Sequence, residues 1–363
     1  MQPVTIDHAY LLDLLRRLIL TPSPTGMTDV ITQMVTVELE RLGIPFEMTR
    51  RGAIRATLEG ARHSPDRALV AHVDTLGAMV RELKPNGRLG VIPIGTWAAR
   101  FAEGARCTVF CDAARNIRGT ILPLKASGHV YSTEVDSQPA DWDNLEVRLD
   151  ARVETIGELM QLGVHVGDHV AIDPGFEVVE DGFINSRHLD DKAGVAALLA
   201  ASVALLEAGA PLSVDCHLLF TISEEVGVGA SHVLQGDAAE LISVDNGTMA
   251  PGQNTCPYGV TITMQDMSGP FDWHLSRRLI RICQEHAIVH SRDVFRHYRS
   301  DAAAALEAGN DIRTALVCFA LDSSHGYERT HIDSLDAVAR LLALYMQMPP
   351  LVPFAEPVVG SAA

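Results

Sequence analysis

The stretch Ala68-Leu69-Val70-Ala71-His72-Val73-Asp74 is an apolar run that ends on a histidine and, two residues later, an aspartate. A short apolar run of this kind reads as a buried strand, and the polar pair marks where it leaves the sheet. Three further motifs follow in order: His188-Leu189-Asp190-Asp191-Lys192, Glu224-Glu225 and Val244-Asp245-Asn246. The second of these three follows the mostly apolar residues 216–222, and the third overlaps the run Leu241-Ile242-Ser243-Val244. Open α/β sheets build their sites outside the carboxyl ends of the strands, so motifs placed this way converge. A histidine with several carboxylates suits zinc, cobalt or manganese, and the ordered set reads as a two-metal hydrolase.

Outward from that stretch, residues 7–20 and 28–42 read as helices, the second stopped by Gly43, and residues 45–58 and 68–73 read as strands. This is the opening of an α/β unit. From about residue 80 to 173 the character changes to short β-type segments such as Gly90-Val91-Ile92-Pro93-Ile94 and Ile117-Arg118-Gly119-Thr120-Ile121, separated by Gly, Pro and Asp turns. Only residues 153–162 look helical there, and Gly163-Val164-His165-Val166-Gly167-Asp168-His169-Val170 reads as two short strands around a turn. Helix and strand then alternate again: a long Ala/Leu helix over 192–208, strands ending near Glu224 and Asp245, helices over 273–286 and 301–307, a strand over 314–319 and a last helix over 334–346. The expected fold is a mixed sheet flanked by helices, a catalytic α/β domain over residues 1–80 and 174–349, with a small β-barrel-like domain inserted at 81–173. Residues 350–363 are expected to form a flexible tail.

At 363 residues the chain suggests roughly two domains of ~150 residues. The 47% apolar content supplies their cores. No run approaches the ~20 apolar residues of a membrane span, and the first twenty residues mix charge with leucine in a helical pattern, without a basic region and cleavage site. The expectation is a soluble cytoplasmic protein without a membrane partner. A net charge of −17 argues against nucleic acid, whose phosphates need a basic surface. The six cysteines are scattered without a CxxC pair, which argues against a disulfide framework or a zinc finger.

Each candidate also has a bland reading. His72 and Asp74 point the same way on an extended segment, as a ligand and the carboxylate that orients it would, but the pair could equally form a turn. Asp190 and Asp191 open a helix, where one Asp would serve as a cap; a second carboxylate beside it favours a bridge between two cations. Adjacent glutamates usually mean a solvated surface. The run that feeds Glu224-Glu225 is too apolar for an edge strand, so one Glu would ligate metal and its neighbour act as general base. Val226-Gly227-Val228-Gly229-Ala230 reads as a Gly-rich turn into a helix, with no phosphate-binding motif. Asp245 in isolation is a turn residue or a ligand. A last ligand should come from Ser323-Ser324-His325-Gly326-Tyr327-Glu328-Arg329-Thr330-His331, which offers two histidines.

The ordered set resembles the co-catalytic di-metal aminopeptidases related to glutamyl and deblocking aminopeptidases, which assemble into tetrahedral particles and include members once labelled cellulases. The resemblance covers most of the chain and includes the β-rich insertion before Asp190, the Gly163 to Asp168 stretch and the pair Ser300-Asp301. It implies that His72 and Asp245 hold one metal, that Glu225 and His325 hold the other, and that Asp190 bridges them. Glu224 would be the base and Asp74 would tune His72. Counting on from Ala315-Leu316-Val317-Cys318-Phe319 selects His325, with His331 too close to the last helix. The cofactors implied are two divalent ions, zinc first, with cobalt or manganese as alternatives. The implied reaction is hydrolysis of the N-terminal peptide bond of short peptides by a water held between the metals, in a homo-oligomer, either a dimer or a tetrahedral dodecamer. The chain departs from the family at Asp322-Ser323, usually Arg-Tyr, at Gly326-Tyr327, often Ser-Pro, and in a Glu224 segment one residue short. The Ser-Ser-His-Gly-Tyr variant also brings in a branch associated with small N-acetylated dipeptide osmolytes.

Two other readings compete. One is a deacylase or carboxypeptidase-like amidohydrolase acting on small N-acylated or amidated dipeptides. Those families share the ligand order but carry their insertion after the Asp245 position, whereas here it precedes Asp190. The other is an inactive oligomeric binding protein; a copy freed from catalysis has no reason to keep Glu224 and all five candidate ligands.

Overall fold

The computed structural model describes residues 1–112, 115–234 and 236–351. Within them, four parallel strands form the middle of a twelve-stranded mixed sheet: Cys216–Thr221, Asp66–His72, Ala238–Met249 and Arg313–Asp322, side by side in that order. All seven residues of Asp66–His72 are buried, as a strand flanked on both sides requires. The hairpin Phe46–Met48 and Ile54–Leu58 extends one side antiparallel. Glu328–His331, Phe183–Ser186 and Glu177–Val178 extend the other. Val260–Asp266 also pairs with Arg313–Asp322 and carries Gly269–Pro270 and His290–Val294.

Helices cover this sheet. In His8–Leu20, Leu11, Leu14, Leu15 and Leu18 recur at helical spacing and are buried, and Asp7 caps the first turn by accepting from the Ala9 and Tyr10 N–H groups. Asp29–Leu42 ends as expected at Gly43, whose φ of +69° is the left-handed conformation that glycine adopts without penalty. Leu189–Ala208 is apolar around its whole circumference because it is buried between His8–Leu20, Ile332–Gln347 and the strands Asp66–His72 and Ala238–Met249.

A second β structure lies between the first and second motifs. Gly77–Leu83, Leu89–Ile94, Leu145–Leu149, Asn116–Pro123, Arg106–Phe110 and His169–Ile172 close into a six-stranded barrel filled by its own apolar cluster, including Val80, Val91, Cys107, Val109, Ile121 and Val147. Closure removes the edges that a small open sheet would expose.

Several local expectations are corrected. Residues 163–168 form turns and only one strand, His169–Ile172, follows, where two were expected: Gly163 and Gly167 have φ of +84° and +101°, and the Asp168 carboxylate accepts from the His165 N–H. Short helices Gly128–Tyr131 and Glu134–Ser137 stand where no helix was expected. Glu224-Glu225 leads into two 3-10 turns, Glu224–Val226 and Gly229–His232, instead of a longer helix. Asp245 lies inside a strand and not beyond its end. Its strand runs to Met249, but pairing with Asp66–His72 stops at Ser243, so Asp245 still faces the crevice past its neighbour's carboxyl end. The expected tail at 350–363 falls, from residue 352 onward, outside the described residues.

Candidate active site

His72 is the last residue of its strand, Glu224 and Glu225 follow Thr221 by three and four positions, and His325 lies in the loop after Asp322. Their strands are parallel neighbours, which is why motifs far apart in sequence meet at one crevice. Asp190 and Asp191 depart from helical φ/ψ at the start of Leu189–Ala208. Tertiary contacts hold them: the Asp190 N–H donates to Glu328 Oε2 at 3.2 Å, and Asp191 Oδ2 accepts from the His72 N–H at 3.1 Å.

Asp190 sits between the two histidines. Its Oδ1 is 3.2 Å from His72 Nε2 and its Oδ2 is 3.4 Å from His325 Nε2. One ligand atom each from His72, Asp190 and Asp245 lies within 4.8 Å of the others, all three residues being buried. On the far side, His325 Nε2 is 3.7 Å from Glu225 Oε2, while Glu224 Oε2 is 3.8 Å from His72 Nε2. Every residue singled out from the sequence therefore lies in one cluster, except His331. That histidine accepts from the Asp333 N–H at the start of Ile332–Gln347 and donates from Nε2 to the Asp181 carbonyl.

Both histidines are oriented by main-chain carbonyls. His72 Nδ1 donates to Asp74 O at 3.0 Å and His325 Nδ1 to Thr96 O at 2.7 Å, so Nε2 is the nitrogen presented to the carboxylates in each. This is the tautomer that a cation needs. The Asp74 carboxylate is 3.5 Å from His72 Nδ1 and is engaged elsewhere: it accepts from Thr25 Oγ1 at 2.6 Å, from the Glu224 N–H at 3.1 Å and from the Glu225 N–H at 3.4 Å. Thr96 belongs to the loop that follows barrel strand Leu89–Ile94, so the barrel contributes to the cluster. His325 itself has φ of +64°, a conformation that costs a non-glycine residue and persists where surrounding contacts enforce it.

The electrostatics are those of crowded anions. Burial and the neighbouring Asp190 charge push Asp245 up to about 8; burial, outweighing the help from His325 and reinforced by the Asp190 charge, pushes Glu225 up to about 8. Glu224 is raised well above the usual carboxylate range by burial, with Asp245, Asp301 and Glu225 opposing its ionisation and His72 favouring it. Burial alone would lower His325, but its hydrogen bond to Asp190 and the Glu225 charge push it up to about 11. Asp190 moves the other way, because bonds from His325 and His72 outweigh its burial. Imidazole nitrogens and carboxylate oxygens converging in this way form a donor set that fits divalent cations.

A cavity of about 740 Å³ opens over the cluster, walled by Glu224, Gly229, Tyr298, Ser300, Asp301 and His325 among others. Asp301 is buried and accepts from Thr221 Oγ1 and the Ala230 N–H, both at 2.6 Å. Gly229 makes this possible: a Cβ there would lie 1.6 Å from Asp301 Oδ1.

Comparison with known proteins matches residues 52–341 to the family described as M42 glutamyl aminopeptidase. The chain belongs to the M42 family. It is 37% identical over 338 residues to YhfE of Bacillus subtilis (strain 168), for which aminopeptidase activity is proposed, covering 93% of this chain and 97% of the relative. In fold it matches aminopeptidase APDkam598 from the archaeon Desulfurococcus kamchatkensis at a TM-score of 0.85 and 22% identity, over 94% of this chain and 96% of that one. It also matches the TET1 peptidase of Pyrococcus horikoshii, described as assembling into a tetrahedron or a large octahedral shell, at a TM-score of 0.81 and 22% identity, over 93% and 100%. The family resemblance carried by the motifs is borne out, and the M42 chain is a metal-dependent aminopeptidase, a hydrolase that works with divalent cations. Among the described residues no helix is long and apolar enough to cross a membrane.

Sequence reasoning missed four residues of this M42 site. Glu328 is buried and its two oxygens hold the Asp190 and His325 N–H groups at 3.2 and 2.9 Å. Asn246 Nδ2 donates to Asp190 Oδ2 at 2.7 Å and to Asp245 Oδ1 at 3.1 Å. Thr96 acts through its carbonyl and Thr25 through a hydroxyl on Asp74. Asn246 directly follows Asp245, and a carboxylate–amide pair is a signal; the other three carry none.

Proposed function

We propose that the cluster is a binuclear centre that hydrolyses the N-terminal peptide bond of short peptides. The observation that carries this reading is the placement of Asp190, with one oxygen toward His72 and the other toward His325. In this reading His72 and Asp245 hold one cation, Glu225 and His325 the second, and Asp190 both. Imidazole with carboxylate favours zinc, with cobalt and manganese as alternatives. Such cations supply Lewis acidity toward a carbonyl and make water a better nucleophile.

The chain supplies the rest. Glu224, with its raised proton affinity, takes the proton of the attacking water and delivers it to the leaving amine. Asp74 positions Glu224 and Glu225 by holding their N–H groups. The anionic lining draws the cationic α-amine of a free peptide, which limits cleavage to the first residue. We also propose a catalytic part over residues 1–80 and 174–349, and an inserted part over 81–173 that serves substrate access and assembly; the Thr96 contact to His325 supports the first role. A homo-oligomer, dimer or tetrahedral dodecamer, is proposed on the likeness to the TET1 peptidase. A cytoplasmic location is proposed on six unpaired cysteine thiols.

The test is a pooled library of free and N-acetylated short peptides, incubated with metal-reconstituted wild type and with Glu224→Gln, products being read by mass spectrometry. Stepwise loss of N-terminal residues from free peptides with wild type, and at least about 10²-fold slower with the variant, is expected. Cleavage confined to blocked or amidated dipeptides would replace this reading with the small-amide one.

A further inference from the structure

Tyr298 stands in the wall of the same cavity, between strand His290–Val294 and helix Asp301–Glu307. Its phenolic oxygen is buried and meets no protein group at hydrogen-bond geometry, the Asp245 carboxylate being the polar group that acts on it most. Buried tyrosine hydroxyls are rarely left unpaired, so one on a residue that lines the substrate cavity points to what the cavity receives. The side chain is not free to seek a partner elsewhere. Its ring packs at 5.3 Å on Phe295, within an apolar cluster that includes Phe271, Leu316 and Cys318, and its carbonyl accepts from the Met267 N–H at 3.0 Å.

Three polar groups act on the hydroxyl from the cluster side: the carboxylates of Asp245, Asp190 and Glu224. They are the groups that face the reacting bond in the reading above. A phenol is protonated at neutral pH, so Tyr298 offers a donor in a wall otherwise rich in acceptors.

We propose that Tyr298 is a catalytic residue: its O–H donates a hydrogen bond to the carbonyl oxygen of the scissile amide and to the oxyanion that replaces it. The inference rests on the proposed reading of the site. The water oxygen forms the new C–O bond, the C–N bond breaks, and the water's proton passes through Glu224 to the departing amine. Tyr298 gives up no proton, so replacing it with phenylalanine removes one donor and little volume. A preorganised donor of this kind acts on charge that develops in the transition state and little on the bound substrate.

The test compares metal-reconstituted wild type and Tyr298→Phe on a free peptide that wild type cleaves. A kcat lower by about 10²- to 10³-fold is expected, with KM within about threefold and an unchanged melting temperature. Metal content and affinity, measured by chelator competition, should be unchanged, while a phosphonic-acid dipeptide analogue should bind more weakly by the same factor as the loss in kcat. A kcat within about threefold of wild type overturns the proposal. So does a kcat loss accompanied by weaker metal binding, because the hydroxyl would then serve Asp245 instead of the substrate. Wild type that cleaves no free peptide removes the reading of the site and this inference with it, whereas the other two outcomes remove only the inference.

Discussion

The central strands carry two buried clusters of charge, one near each end, and the clusters are built on opposite rules. Near their amino ends, Arg67 on Asp66–His72 stands directly across from Glu240 on Ala238–Met249 in the parallel register. Both are fully buried, with Arg67 Nη2 3.3 Å from Glu240 Oε2, the Tyr345 hydroxyl donating to the same carboxylate at 2.6 Å, and the guanidinium 4.3 Å from the Tyr345 ring. Near the carboxyl ends, Asp190, Asp245, Glu224 and Glu225 meet two histidines, and the arginine in the cavity wall, Arg299, is paired with Glu307 instead. The first cluster balances its charge with its own side chains. The second leaves an excess of acceptors that only protons or metal cations can balance, which separates a structural ion pair from a catalytic site on a single strand pair.

The largest expected effect comes from breaking the second cluster at its centre. Asp190→Asn keeps the shape but leaves one oxygen where the reading places two, so neither histidine side keeps its shared ligand. Activity on a free peptide should fall by at least about 10⁴-fold, several kcal/mol of transition-state stabilisation, and bound metal counted by elemental analysis should fall with it. Retention of full metal content with near-normal turnover would show that Asp190 is not the bridge.

The first cluster should answer differently. Glu240→Gln leaves Arg67 charged in a site with no accessible surface, at a cost of about 3–5 kcal/mol in chemical denaturation. Because the pair is remote from the cavity, kcat per folded molecule should stay at the wild-type value. A stability loss below about 1 kcal/mol, or a change in kcat with stability intact, would erase the contrast drawn between the two ends.

The catalytic end was the more legible of the two in the sequence, for a physical reason. A ligand held by a sheet sits one to four residues past an apolar run, so His72, Glu224 and Glu225 announce themselves locally. Arg67 lies at the start of such a run and Glu240 beside a short acidic turn, where each reads as an ordinary strand boundary. What holds the catalytic cluster together was not legible at all. Glu328 reaches Asp190 across 138 positions and Thr96 reaches His325 across 229, through N–H and carbonyl groups that every residue possesses. The helix expected after Glu225 fails for a related reason. Gly227 is left-handed at φ of +76°, and Gly229 is packed on Asp301, a residue whose position no local pattern encodes. The barrel was legible as β-rich, while its closure depends on pairing Gly77–Leu83 with His169–Ile172, a non-local contact.

The gentlest test of the contrast is pH. Glu225 and Asp245 titrate at about 8 in the folded, metal-free chain and His325 at about 11, against ordinary values of about 4 for carboxylates and about 6.5 for histidine. All three are raised, so the folded chain holds protons that the unfolded chain has already released. Their contribution to stability is present below the unfolded values and is lost as pH climbs through the folded ones, the carboxylate part between about 4 and 8. A bound cation displaces those protons and takes over the balancing of charge, so it offsets the loss. The melting temperature of chelator-treated protein should therefore fall from pH 5 to pH 8 more steeply than that of protein with excess zinc, and the gap between the two curves should widen across the window. The Arg67–Glu240 pair contributes nothing to that gap, since its charges are balanced with or without metal. Parallel curves would mean that metal uptake displaces no protons from the cluster, and that the excess of acceptors at the carboxyl end is not what the cations neutralise.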